Sequence, residues 1–401
     1  MSDLLRLLGG IVFLALSALT TIAAPNHFLW RLSIAVTEGG HWLALGALVP
    51  AIPWRGQGFL GKVGAIMSLG AAAILVLPLY HANRMNEQLP SMLDASFGTN
   101  RRAAGRFAED PRPEPLVMFD LVTSVQSRPV LLEERAFTTP DGEKLSLDIY
   151  KPGYAHGALP GVLVIHGGSW QGGDNKEFMA LNAYLAARDY VVVSMNYRLA
   201  PKWKFPAGRD DVLSAIAYLK VYGAEIGVDP TRLALLGRSA GGQLALLAAY
   251  TANEPAIRGV VSVYGPTDLK FGYEQPAPKS LLDTRGVLET YLGGSPAKAD
   301  DAYFAASPIN FVTASSPATL LIHGLHDSHV SPEESERLET RLLHSRVRNL
   351  FIRLPWATHA CDWSFSGPCG QITTFAIERF LERVMFTAPK PVKAQSRLAK
   401  K

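Results

Sequence analysis

The chain has little cysteine. Its 401 residues contain two, Cys361 and Cys369, so it has neither a disulfide framework nor a C-x-x-C pair. Charge is sparse as well, at 18% of residues, and the net +4 is scattered except at the end, Lys390 to Lys401 ("KPVKAQSRLAKK"). No basic stripe with interleaved aromatic residues occurs, which argues against a nucleic-acid partner. His323, His326 and His329 recur every three residues, yet they straddle a strand end and a loop and no partner cluster has ligand spacing, so no metal centre is expected. There are no internal repeats.

What the chain does have is apolar sequence, 48% of residues, in two different arrangements. Leu7 to Ala24, Leu32 to Ile52 and Val63 to Tyr80 are near the length of about 20 residues that a bilayer core requires. They predict about three transmembrane helices within residues 1–82. The first run could instead be a cleaved signal peptide, because Arg6 precedes it and small residues ("TTIAAP") close it. Glu38 and His41 lie three apart in the second run, on one helix face, where they would pair with one another or line a site inside the bundle. Residues 83–128, rich in proline, arginine and small polar residues, read as a linker, and residues 388–401 as a basic disordered tail.

From residue 129 to 387 short aliphatic runs alternate with helical ones. "VLLEERAFTTPDGEKLSLDIYKP" predicts antiparallel strands around a turn at Pro140 to Gly142. "GVLVIHGG", "YVVVSMNYR", "RLALLG", "IRGVVSVYG", "ATLLIHG" and "NLFIRLPW" then read as buried strands, with helices between them. That pattern predicts an α/β fold, a mostly parallel mixed sheet with helices on both faces. Tyr264 to Pro317 breaks the rhythm and reads either as a lid or as an irregular crossover.

Within this domain "LGRSAGGQ" places Ser239 between an aliphatic strand and a helix, the G-x-S-x-G context that exposes a hydroxyl above a sheet. A serine is a weak nucleophile, so it needs a base, an acid that orients the base, and donors for an oxyanion. Each has a candidate at the carboxyl end of a strand, where open α/β sheets bind ligands. Asp327 follows "ATLLIHG" and His359 follows "NLFIRLPW", in the chain order Ser, Asp, His. Asp268 is the rival acid. The backbone N–H groups of Gly167 and Gly168 in "HGGSW", with that of Ala240, would form the oxyanion hole, and His166 would orient its loop.

"HGGSW", "YRLAP", "GRSAGG", Asp327 and His359 together resemble the α/β-hydrolase superfamily, specifically the hormone-sensitive-lipase-like carboxylesterases and the related feruloyl-esterase-like hydrolases. The resemblance covers about Val130 to Val384. It implies an α/β-hydrolase fold and a serine carboxylesterase without cofactor, acting on a small-molecule, lipid or sugar ester through an acyl-enzyme. In that scheme Ser239 is the nucleophile, His359 the base and Asp327 its orienter. Arg238 departs from the hormone-sensitive-lipase pattern, where an aspartate is usual. An amidase or acyltransferase using the same residues, or a membrane-anchored binding protein that keeps the fold without turnover, are the alternatives.

Three crossings, or a signal peptide followed by two, would put the hydrolase domain on the periplasmic or outer side of a membrane. Arg6, Arg55 and Lys62 against Arg31, Arg84, Arg101 and Arg102 leave the charge count undecided. Cys361 and Cys369 flank a Ser-Gly-Pro turn that could bring them together, and a disulfide there would persist in an oxidising compartment.

Overall fold

The aliphatic runs become the strands of one eight-stranded sheet in the computed structural model, which describes residues 2–53, 56–99, 111–153 and 157–386. The strands are β1 (Val130–Thr138), β2 (Lys144–Pro152), β3 (Leu159–Ile165), β4 (Val191–Met195), β5 (Val228–Arg238), β6 (Ile257–Val263), β7 (Ala318–Gly324) and β8 (Asn349–Leu354). Their order across the sheet is β1-β2-β4-β3-β5-β6-β7-β8. The hairpin of β1 and β2 turns at Asp141 and Gly142 and pairs antiparallel with β4, while the remaining neighbours are parallel.

Because successive strand residues point to opposite faces, the central strands divide between two cores. Leu163, Ile165, Val193, Leu233 and Leu235 pack on one side, against the helices Ala207–Tyr222 and Ala240–Thr251. Val162, Val164, Val192, Ala234 and Leu236 pack on the other, against Met179–Ala186, Pro368–Met385 and Leu77–Phe97. The last of these runs through residues read as the start of the linker. Pro90 inside it costs a helix about 3 kcal/mol. Met85, Leu89, Leu93 and Phe97, all buried against the sheet layer, contribute about 1.5–3 kcal/mol each and outweigh that cost.

The three transmembrane helices expected in residues 1–82 are not what the structure shows. The described N-terminal residues form Asp3–Ala18, His27–Glu38, Gly40–Ala51, Phe59–Leu75 and Leu77–Phe97. Among the described residues a single continuous helical stretch, Phe59–Phe97, is long and apolar enough to cross a membrane. The second apolar run is broken at Gly39 into two helices of 12 residues, bent by 86°. Counting apolar residues overlooked that break, which the pair Gly39–Gly40 explains: glycine weakens a helix interior. The multi-pass membrane placement, with the hydrolase domain turned to the periplasm, falls with the span count. Glu38 and His41 do not share a helix face either, because the bend lies between them. The predicted tail, 388–401, lies outside the described residues.

These helices pack through backbone. A Cβ on Gly10 would lie 2.5 Å from the Gly64 carbonyl oxygen, and one on Gly40 would lie 2.4 Å from that of Leu75.

Candidate active site

Ser239 sits at the turn between β5 and the helix Ala240–Thr251 with φ 51° and ψ −124°, a conformation that non-glycine residues rarely adopt. The turn is possible because glycines stand two residues away on either side, at Gly237 and Gly241, where a Cβ on Gly237 would lie 2.0 Å from the Gly241 carbonyl oxygen. A Cβ on Gly241 would come within 2.2 Å of the Ile165 carbonyl oxygen, so no side chain fits where the helix crosses the end of β3.

Asp327 and His359 follow β7 and β8, and the structure brings both to Ser239. The Nε2 atom of His359 is 3.1 Å from the Ser239 hydroxyl oxygen, and its Nδ1 is 2.6 Å from Oδ2 of Asp327. An acceptor at Nδ1 fixes the proton there and leaves Nε2 to accept from the serine. Asp327 is buried and anchored on its other oxygen by the backbone N–H groups of His329 (2.8 Å) and Val330 (3.0 Å), while His323 approaches Oδ2 at 3.2 Å. Burial works to raise the Asp327 carboxyl, but the charge and hydrogen bonds of the His359 and His323 rings outweigh it and hold the group well below the usual carboxylate range. Asp268, the rival acid, is elsewhere: it caps the helix Leu269–Glu274 and pairs with Arg337 at 2.7 Å.

The "HGGSW" loop lies against the serine turn. A Cβ on Gly167 would be 3.4 Å from that of Ser239. Gly168 needs its φ of 104°, where a Cβ would strike the Gly172 carbonyl oxygen at 2.1 Å. Glu177 lies near this loop, and burial raises its carboxyl. Ser169 lines the cavity together with Ser239 and Ala240. The loop is braced from below: the Trp170 indole stacks on Tyr291 at 4.4 Å and donates to Gln243 (2.9 Å), which donates in turn to the Ala306 carbonyl (2.6 Å). His166 stacks on Tyr197 at 4.3 Å, and burial pushes its imidazole down to about 4, so it supports the loop as a neutral ring.

The cavity above Ser239 holds about 60 Å³ and is walled by Leu269, Leu282, Val287 and Leu288. Those residues belong to the stretch Tyr264 to Pro317, which forms the helices Leu269–Glu274, Thr284–Leu292 and Pro296–Ala306 and covers the site. A larger cavity of about 840 Å³ lies on the far side of the His359 loop, lined by Trp30, Trp42, Ala360 and Trp363.

Two neighbours of the site, Arg238 and His329, have partners that the sequence did not show. Arg238, the departure from the family pattern, is buried and paired with Asp362 at 2.5 Å, lies 3.7 Å above the Phe178 ring, and shares Asp362 with the Tyr264 hydroxyl. His329 stacks on His359 with ring centres 4.9 Å apart, and burial together with the His359 charge pushes it down to about 3. Cys361 and Cys369 are joined in a disulfide with Cα atoms 5.7 Å apart, bracketing the segment just after His359. The three regularly spaced histidines go separate ways: His323 bonds Asp327 and Ser335, His329 stacks on His359, and His326 points to neither.

Comparison with known proteins agrees with this architecture. The BD-FAE family model matches residues 147–342. The probable carboxylic ester hydrolase LipM of Mycobacterium tuberculosis is 28% identical over 96% of this chain and 95% of its own. Ethyl acetate hydrolase of Pseudomonas putida is 31% identical, over 53% of this chain and 71% of its own. Among solved structures, an esterase of Pyrobaculum calidifontis is 25% identical with a TM-score of 0.55, covering 64% of this chain and 86% of its own. The chain belongs to the carboxylesterase and feruloyl-esterase-like family of the α/β-hydrolase fold, and it is a serine hydrolase of carboxylic esters.

Proposed function

We propose that Ser239 is the nucleophile of an acyl-enzyme mechanism, with His359 as base and then acid and Asp327 holding the imidazole in its working tautomer. The observation that carries this reading is the unbroken line from the Ser239 oxygen through both nitrogens of His359 to Oδ2 of Asp327, at 3.1 and 2.6 Å. His359 takes the serine proton as Ser239 attacks the ester carbonyl, returns it to the departing alcohol, and then activates water to release the acid.

The carbonyl oxygen, as it gains charge, is received by the backbone N–H groups of Gly167, Gly168 and Ala240. Each such donor is worth about a hundredfold to a thousandfold in rate. The cavity of about 60 Å³ has room for roughly two waters, so an acyl group of a few carbons fits without rearrangement of the covering helices.

Ser239→Ala tests the reading. It should abolish labelling by a fluorophosphonate probe and lower aryl-ester turnover by several orders of magnitude with the fold intact. Turnover equal to that of the unmodified enzyme would overturn the assignment.

A further inference from the structure

We propose that Trp30, on the N-terminal helix His27–Glu38, is a positioning residue for His359, so that the N-terminal segment completes the active site. The inference rests on His359 being the base.

The carrier of the base is weakly built on its own. His359 lies in an irregular segment between the end of β8 and the short turn Cys361–Trp363, and the next residue, Ala360, has a φ of 59°. No other hydrogen bond to the His359 carbonyl is present among the described residues besides that from the Trp30 indole N–H, at 3.0 Å. The Trp30 ring continues the contact: it lies 4.4 Å from the His329 ring, which in turn stacks on His359. Tyr264 closes the other side of the imidazole, ring centres 4.5 Å apart. Trp30 therefore touches both the backbone of the base and the ring that packs on its face.

Further bonds place Trp30 there. Just before the helix, the Pro25 carbonyl accepts from Ser280 at 2.6 Å, and the Ala24 carbonyl accepts from Ser328 at 3.3 Å, beside Asp327. At its end, Oε2 of Glu38 accepts from the Cys369 N–H at 2.9 Å, capping a helix whose own N-cap, Gly367, supplies no side chain. The helix is thus fastened to the covering stretch, the acid loop and the disulfide-closed segment after the base, and it carries Trp30 across the middle. Catalytic groups act at full rate only when supporting contacts hold them in place, and a displacement of about 1 Å can cost about a hundredfold.

Kinetics of Trp30→Phe and Trp30→Ala in the full chain test this, with Phe28→Ala, an exposed neighbour on the same helix, as control and Ser239→Ala and His359→Ala run alongside. Trp30→Phe keeps a ring and removes the donor; kcat should fall about tenfold, with KM within about twofold, and the rate of fluorophosphonate labelling should fall in parallel. Trp30→Ala should lose about a hundredfold, and Phe28→Ala should lose nothing. Normalising to the number of probe-titrated sites separates misplacement from partial unfolding, and Trp30→Phe serves if Trp30→Ala does not fold. Unchanged kcat per titrated site in Trp30→Phe, or a loss confined to KM, overturns the proposal while Ser239→Ala and His359→Ala remain inactive. Activity retained in those two variants would instead remove the assignment of the base itself.

Discussion

Apolar residues do different work in the two halves of the molecule. In the sheet Val162, Val192, Leu235 and Leu320 are wholly buried, and side-chain burial supplies the cohesion. Along the helices Asp3–Ala18 and Phe59–Leu75 the large side chains turn outward, with Ile66 70% and Phe59 79% exposed. There the contacts run through Gly10 against Gly64 and Gly40 against Leu75, where main chains come close enough to exclude a side chain. Composition alone does not separate the two cases. What separates them is which small residues sit where the elements cross.

Three perturbations test that contrast. The largest effect belongs to the sheet's functional edge. Asp327→Asn leaves His359 in the wrong tautomer and should lower kcat/KM by about a thousandfold to ten thousandfold, whereas Asp268→Asn, whose partner is Arg337 at the surface, should stay within about twofold of the parent. A strong loss in Asp268→Asn with Asp327→Asn near the parent in steady-state assays would put the acid at Asp268.

An intermediate effect is expected where charge is buried behind the site. Asp362→Asn leaves the Arg238 guanidinium buried without its counter-charge and should cost about 3–5 kcal/mol in denaturant unfolding. Arg84→Ala on the long N-terminal helix removes an exposed partner of Glu87 and should cost less than about 1 kcal/mol. Similar values for the two would dissolve the distinction between a tightly packed sheet region and a loosely covered helical one.

The smallest effect concerns the junction. Burial pushes the Glu38 carboxyl up to about 8, against the hydrogen bond from Cys369. A raised folded-state value means that the protonated group contributes stability fully below about 4.5, its ordinary value, and that the contribution is lost as pH rises through about 8. Glu38→Gln should therefore gain in melting temperature relative to the parent between pH 5 and pH 9, by a few degrees. A difference of the opposite slope would show that the ionised carboxylate is the better cap.

Much of the site was legible because its signals are local. The serine turn needs glycines within two residues, and Asp327 and His359 each follow an aliphatic run, so placement at strand ends and chain order together indicated one sheet edge. The order β1-β2-β4-β3-β5 was not readable, since alternating strands and helices leave crossover choices open. The remaining misses are distant pairs. Trp30 and His359 are separated by 329 residues, Glu38 and Cys369 by 331, and Arg238 and Asp362 by 124. No periodicity links such residues. Arg238 looked like an anomaly until its partner was seen, and Glu38, expected to pair with His41 or to line a site in the bundle, serves instead as the cap of another helix. The span count failed for a related reason: an apolar window registers hydropathy, and it does not register the bend at Gly39.

The bond from Trp30 to His359 also bears on the order of events during synthesis. Domains generally fold as they emerge, N-terminal parts first, and long-range contacts form slowly because loop closure must precede them. Residues 30 and 38 leave the ribosome well over 300 residues ahead of the groups they bind. The helix His27–Glu38 must wait, its Trp30 and Glu38 unsatisfied, until β8 and the helix Pro368–Met385 have been made. On the proposed mechanism ester cleavage then waits for the last strand: a ribosome stalled before His359 displays the serine turn, the glycine loop and Asp327, and still holds a polypeptide without its base.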